Sequence, residues 1–137
     1  MTDIGACLEA LQALKTAMGS IPLIFTCRIH AEGGFKEVSQ EIRLQLITSA
    51  IASGIVEVVD VELCNEAAFI EKVKKITQTG NVKLILSYHN FNETPDEAFI
   101  YDKLVMAQDL GADIAKLAVM PKDYADVLTL LGATLKA

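Results

Sequence analysis

Four side chains suited to carbonyl chemistry stand near the ends of apolar runs: Arg28, Glu62, His89 and Lys116. Lys116 lies inside Asp113-Ile-Ala-Lys-Leu-Ala-Val-Met-Pro121, a short apolar run that follows Gly111 and is closed by proline. That context predicts a buried strand. An ammonium on such a strand must be paired or give up its proton, and a neutral lysine amine is a nucleophile for carbonyl carbons. An imidazole moves protons near neutral pH. A guanidinium recognises anions. Plainer readings stand beside these. Lys116 can carry its head into solvent, Arg28 can be a solvated strand-end charge, Glu62 can form a structural ion pair with Arg28 or Lys116, and His89 can be a satisfied core histidine. His30, two residues beyond Arg28, reads as solvated.

The elements that must position these groups follow from periodicity. Residues 2–18 carry Leu8, Leu11, Leu14 and Met18 at helical spacing and stop at Gly19. The run 23–28 after Pro22 reads as a strand, and 29–35, with Gly33-Gly34, as a loop. A helix is expected over 37–53, with Ile42, Leu46, Ile47, Ala50 and Ile51 buried and Gly54 at its C-terminal end. A valine-rich strand follows over 55–63. Asn65 is placed to cap the next helix, whose apolar face is Phe69, Ile70, Val73 and Ile76 and which ends at Gly80. The run 82–88 is a third strand. Thr94-Pro-Asp-Glu97 has the form of a capping box with proline at the first helical position. The helix it opens ends at Gly111, the lysine strand follows, and a last helix comes after Pro121. One helix followed by four strand–helix units, with no hairpin signal, predicts an α/β fold with a parallel sheet in a single domain, 1–137. Alternation along each strand then pairs Thr26 with Arg28, Asp60 with Glu62 and Ser87 with His89. Ligands of parallel α/β folds sit at the carboxyl ends of the strands. Arg28, Glu62, His89 and Lys116 can therefore meet in one mouth.

Composition narrows the function. Hydrophobic residues at 52% and charged residues at 22% describe a globular chain with enough apolar surface for a core. A net charge of −6 argues against a nucleic-acid partner, which needs a basic face. No apolar run has the length of a membrane span, and the N-terminus does not have the succession of a signal peptide. Three widely spaced cysteines, Cys7, Cys27 and Cys64, suit reduced thiols in the cytoplasm and form no zinc pattern. No metal or cofactor site is expected.

Four stretches in this order resemble the type I 3-dehydroquinate dehydratases: Ile21-Pro-Leu-Ile-Phe-Thr-Cys-Arg28 with Glu32-Gly-Gly34, Val59-Asp-Val-Glu-Leu63, Ser87-Tyr-His-Asn-Phe91, and Gly111-Ala-Asp-Ile-Ala-Lys-Leu-Ala-Val-Met-Pro121. The closing Ala125-Asp-Val-Leu-Thr-Leu-Leu131 also fits. The resemblance implies part of a TIM-type (β/α)8 barrel, about four strands and five helices of a fold that usually takes about 250 residues. It implies dehydration of 3-dehydroquinate to 3-dehydroshikimate in aromatic amino-acid biosynthesis, without added cofactor. In that reading Lys116 forms an imine with the substrate ketone, His89 is general base and acid, Glu62 orients His89, and Arg28 binds substrate. Two rivals stay open: a half-barrel that folds and associates without a complete pocket, and another Schiff-base lyase of the class I aldolase kind. The motif Ser87-Tyr-His-Asn90 favours the dehydratase.

A four-strand segment of a barrel has two unpaired edges. Its inward residues, Ile24, Val58, Ile85, Ile114 and Met120, would be wet in isolation. A homodimer or larger homo-oligomer is therefore expected. One simple form has a two-fold axis along the barrel, with the first strand of each copy beside the fourth strand of the other. Edge-to-edge aggregation and assembly through helix faces are its rivals.

Overall fold

The computed structural model describes residues 3–137. The expected elements form in the expected order: α1 (Ile4–Met18), β1 (Ile24–Thr26), a 3-10 turn (His30–Glu32), α2 (Gln40–Ala52), β2 (Val58–Glu62), α3 (Ala67–Gly80), β3 (Lys83–Asn90), α4 (Glu97–Asp109), β4 (Ile114–Val119) and α5 (Tyr124–Lys136). The start expected for α1 at Thr2 lies outside the described residues. The four strands form one sheet in the order β1-β2-β3-β4, and every pairing is parallel.

Alternation splits each strand between two layers. Val59 and Val61 of β2 and Leu84 and Leu86 of β3 face the helices. There they join Leu46, Ile47, Ile51, Phe69, Ile70 and Val73 in the main core. Leu11 anchors α1 to the same core. A smaller cluster of Ile100, Leu104 and Ala133, with Leu117 against it, seats α5 on α4 and β4. The other face of the sheet carries polar side chains and is where the site forms.

Three local expectations are corrected. Asp96, not Thr94, caps α4: its Oδ1 accepts from Phe99 N at 2.8 Å, and Glu97 is the first helical residue. Thr94 instead donates its hydroxyl to Met120 O at 3.0 Å, tying the β3–α4 loop to the end of β4. Asn65 does not cap α3. Its side chain is held by Glu62 and Arg43, and Glu66 takes the cap position without a side-chain bond. Helix α3 runs through Gly80, and Asn81 takes the left-handed cap at φ 54°.

The lysine strand is not buried. β4 is an edge with a partner on one side only, and its residues range from half-buried to exposed. Ile24, Ile114 and Met120 are wet as expected, at 58%, 47% and 46% exposure. Ile85 is buried, because it stands between Asp60 on β2 and Ile114 on β4 and is covered from both sides.

The cap assignment has a direct test. Asp96→Ala should lower the free energy of unfolding by about 1 kcal/mol in urea titration, and Thr94→Ala by less, because only Asp96 satisfies an orphan helix N–H. The reverse order of effects would restore Thr94 as the cap.

Candidate active site

The register brings the functional side chains together. Glu62 stands beside Ser87, and Ser87 beside Lys116, on three adjacent strands. Asp60 and Glu62 sit two apart on β2 and point to the same face. Both are buried, Glu62 completely. Two carboxylates in such a place require close cations.

The two carboxylates share Arg28 and are otherwise held by different groups. Glu62 Oε2 accepts from Arg43 Nη2 at 2.6 Å, and its Oε1 accepts from Arg28 Nη1 at 3.1 Å and Ile29 N at 3.2 Å. Asp60 Oδ2 accepts from Arg28 Nη2 at 3.0 Å and from Lys116 Nζ at 2.9 Å. Its Oδ1 accepts from the Ser87 hydroxyl at 2.5 Å. Burial pushes the Asp60 carboxyl up, but the hydrogen bonds from Arg28, Ser87 and Lys116 together outweigh it and hold the group below the usual aspartate range. The plainer reading of Glu62, a structural ion pair with Arg28, is what forms.

The expected Glu62–His89 pair does not form, because Arg43 and Arg28 take the Glu62 oxygens. The carboxylate on His89 is Glu32. Its Oε2 lies 2.8 Å from His89 Nδ1 and also accepts from the His89 backbone N–H at 3.0 Å. An ionised carboxylate can only accept, so Nδ1 carries a proton, and in the neutral ring Nε2 keeps its lone pair. That Nε2 lies 3.4 Å from Lys116 Nζ. Phe91 stacks on the His89 ring at 6.2 Å between centroids. His30, exposed as expected, turns its Nδ1 to Gly34 O.

Glu32 reaches His89 because of the two glycines that follow it. Gly33 has φ 93°, which favours glycine, and a Cβ there would lie 2.9 Å from the Phe91 ring. A Cβ on Gly34 would lie 2.3 Å from the Arg28 carbonyl oxygen. The turn therefore folds back tightly over the end of β1 and points Glu32, 7% exposed, into the mouth.

The structure thus unites Arg28, Glu62, His89 and Lys116 and adds Glu32, Asp60, Ser87 and Arg43. Glu32 had a signal in the sequence: a carboxylate before Gly-Gly, in the loop after a strand, on the side where parallel α/β folds bind ligands. Arg43 had none. It reads as an ordinary charge on α2, yet it is 3% exposed, stacks on Phe69 at 5.2 Å and also donates to Cys27 O and Asn65 Oδ1. Among the described residues, no group of three or more His, Cys, Asp or Glu is arranged to hold a metal ion.

A parallel (β/α) sheet with an amine, an imidazole and buried carboxylates gathered at its strand ends defines a barrel-type α/β protein with a candidate site at that end. Comparison with known proteins makes this specific. The model of the type I 3-dehydroquinase family matches residues 1–137, and the chain belongs to that family. It is 43% identical over 136 residues to the 3-dehydroquinate dehydratase of Albidiferax ferrireducens, covering 98% of this chain and 52% of that protein. It is 43% identical over 133 residues to that of Klebsiella pneumoniae, covering 97% and 53%. Among solved structures, the type I 3-dehydroquinate dehydratase of Clostridium difficile, crystallised with covalently modified comenic acid, superposes with a TM-score of 0.93 at 39% identity, over 98% of this chain and 53% of that one. The enzyme from Geobacillus kaustophilus gives 0.92 at 37% identity. The chain spans about half the length of the curated relatives it matches.

Two outcomes follow from the geometry. Two-bond 15N NMR should find neutral His89 protonated on Nδ1. Glu32→Ala should move that proton toward Nε2, and Glu62→Gln should leave it in place. A tautomer that responds only to Glu62 would contradict the Glu32 contact. The second outcome concerns acid. A carboxyl held below its unfolded value of about 3.9 stabilises the fold above that pH and ceases to do so as the pH falls through the folded value. The urea midpoint should therefore fall as the pH drops below about 4, and less steeply in Asp60→Asn. Equal slopes in the two proteins would remove Asp60 from the acid response.

Proposed function

We propose that this chain carries the lysine–histidine part of a 3-dehydroquinate dehydratase site and works through a Schiff base. The observation that carries the reading is the contact between Lys116 Nζ and His89 Nε2 at 3.4 Å, with His89 Nδ1 held by Glu32 at 2.8 Å. An amine and the free lone pair of an imidazole then face the same small volume. Lys116 adds to the substrate ketone, and loss of water leaves a protonated imine. The cationic nitrogen draws electrons from the neighbouring carbon, whose proton passes to His89 Nε2. The enamine electrons expel the β-hydroxyl, which takes that same proton and departs as water. Hydrolysis of the imine frees 3-dehydroshikimate and restores Lys116. The balance is one substrate to one product and one water.

Each neighbour has a part in this reading. Asp60 pairs Lys116 while it is an ammonium. Glu32 is a positioning residue that keeps the Nε2 lone pair of His89 turned to the mouth. Glu62 acts at one remove, by fixing Arg28 and the backbone at Ile29. Arg28, 19% exposed, is the accessible cation left for a substrate carboxylate once Lys116 is in the imine. The reading implies a step of the shikimate pathway in the cytoplasm. Among the described residues, no helix is long and apolar enough to cross a membrane. The rival, a half-barrel that associates without turnover, is favoured by one observation: the Lys116 side chain is 41% exposed, so the mouth lacks a wall beside β4. The same open edges support self-association of the chain on its own.

Incubation with 3-dehydroquinate followed by borohydride should leave a reduced adduct on Lys116, located by peptide mass spectrometry. His89→Ala should slow turnover by about 10²–10⁴-fold, as expected for loss of a general base. An adduct on Lys103 or Lys122 with none on Lys116 would overturn the assignment.

A further inference from the structure

Three buried carboxylates face the mouth: Asp60 and Glu62 from β2, and Glu32 from the turn after β1. Two guanidiniums answer them, Arg28 from the end of β1 and Arg43 from α2. Both stay charged at any working pH. One negative charge is left over. The groups that can meet it are Lys116, bonded to Asp60 Oδ2, and His89, bonded to Glu32 Oε2. Lys116 Nζ and His89 Nε2 are 3.4 Å apart, so a proton on either one serves the cluster. The other neighbours add no charge. Ser87 from β3 is neutral and donates to Asp60. Desolvation first and Glu32 next push the Cys64 thiol up to about 12, and desolvation raises Cys27.

Arg43 decides this balance without entering the mouth. It is 3% exposed, and each of its three nitrogens has an acceptor within the chain: Glu62 Oε2 at Nη2, Asn65 Oδ1 at Nη1 and Cys27 O at Nε. It is placed to supply charge, not to bind a ligand. In strand register Glu62 and Lys116 both stand beside Ser87, yet the lysine turns to Asp60. Arg43 on one Glu62 oxygen and Arg28 on the other leave that carboxylate no need of the amine. With Arg43 uncharged, the same cluster would carry two negative charges in excess. Protonation of both Lys116 and His89 would balance them. The amine would then lack its nucleophilic lone pair, and the imidazole its basic one.

We propose that Arg43 is a positioning residue of the reaction: by neutralising Glu62 it leaves Lys116 and His89 one proton between them. The single positive charge then follows the chemistry. It sits on His89 while the free amine adds to the ketone. The imidazolium gives its proton to the departing hydroxyl, and the charge passes to the imine nitrogen. It returns to His89 when the neighbouring carbon loses its proton and the enamine forms. This part in catalysis rests on the Schiff-base reading above. The part in charge balance does not.

The test therefore reads the two side chains with no substrate present. The chain is trace-labelled with acetic anhydride near neutral pH. Acetylation of Lys116, whose side chain is 41% exposed, is compared with that of exposed Lys72 by peptide mass spectrometry. In parallel, 15N NMR reads whether the His89 ring carries one proton or two. Arg43→Met should lower the relative acetylation of Lys116 about three- to tenfold, the effect of one nearby charge in a partly wet site, and should turn His89 into imidazolium. Glu62→Gln should raise the acetylation and leave the ring singly protonated. The double variant Arg43→Met/Glu62→Gln should return both readings to those of the unaltered chain. Arg43→Lys keeps the charge without the fork, so it should lose stability to urea while Lys116 keeps its reactivity. An Arg43 that only braces the fold would lower stability and move neither reading, and that outcome would overturn the inference. So would a change of Lys116 acetylation in the same direction in Arg43→Met and Glu62→Gln. If Arg43→Met does not fold, Glu62→Gln and the double variant decide, and no rise in Glu62→Gln counts as refutation. Labelling that follows the expected pattern, with no borohydride adduct from 3-dehydroquinate, would remove the proposed activity and leave the charge balance standing.

Discussion

Two buried carboxylates on β2 set the terms for the whole inner face. Asp60 and Glu62 are 3% and 0% exposed, and an uncompensated charge in such a place would not survive folding. The compensation comes from three directions: Arg28 from the end of β1, Arg43 from α2 and Lys116 from β4. Removing one member of a buried ion pair typically costs about 3–5 kcal/mol, because the partner is left buried and alone. The network therefore stabilises the fold mainly by making any other arrangement of β1, β2, β4 and α2 expensive. It also ties the candidate site to the fold, since Lys116 is one of the charges that compensate Asp60.

Strand register turns this constraint into a site. Because side chains alternate, a slip of one residue between β3 and β4 would carry Lys116 to the helix-covered face and break its contact with Asp60. The hydrogen bonds that guard the register are outside the site. Asp113 Oδ2 accepts from Leu84 N at 2.9 Å, and its Oδ1 accepts from Lys83 Nζ at 2.7 Å. At the other end Thr94 ties its loop to Met120 O. The base of β4 is thus pinned by an aspartate and its top by a hydroxyl, and Lys116 stands between them. The short strand β1 needs a different device. Its three residues hold little ladder, so the tight turn at Gly33 and Gly34 and the Arg28 ion pairs carry the chain over the mouth.

The distribution of apolar surface explains why a well-formed site lies in an unfinished wall. The core between sheet and helices is closed, with Ile47, Val59, Val61, Val73 and Leu86 fully buried. The inner face is dry only near its centre, where Ile85 and Ser87 are flanked by strands on both sides. At the edges the same face is open. The positioning of His89 by Glu32 and of Lys116 by Asp60 is already complete within this chain. Exclusion of water from the mouth is not.

The sequence by itself determined the elements and their order, because helical and strand periodicity, glycine stops and proline starts are local signals. It also marked Lys116, His89 and Arg28, since a charged or titratable residue at the end of an apolar run conflicts with its surroundings wherever the chain goes. Tertiary structure alone decided the partners. Glu62 and Glu32 are both carboxylates near strand ends, and nothing local says which one meets His89. The outcome turned on Arg43, whose place on α2 reads as a solvated charge until the helix packs against β2 and puts the guanidinium on Glu62. Glu32 and His89 are 57 residues apart in the chain, and only the tight turn over β1 closes that distance. The N-cap of α4 shows the same limit at short range. Thr94 and Asp96 are both good caps in sequence, and the choice fell to Asp96 because the end of β4 lies within reach of the Thr94 hydroxyl. Periodicity is a property of one segment, whereas the pairing of like-charged candidates depends on which distant partner the fold places beside each.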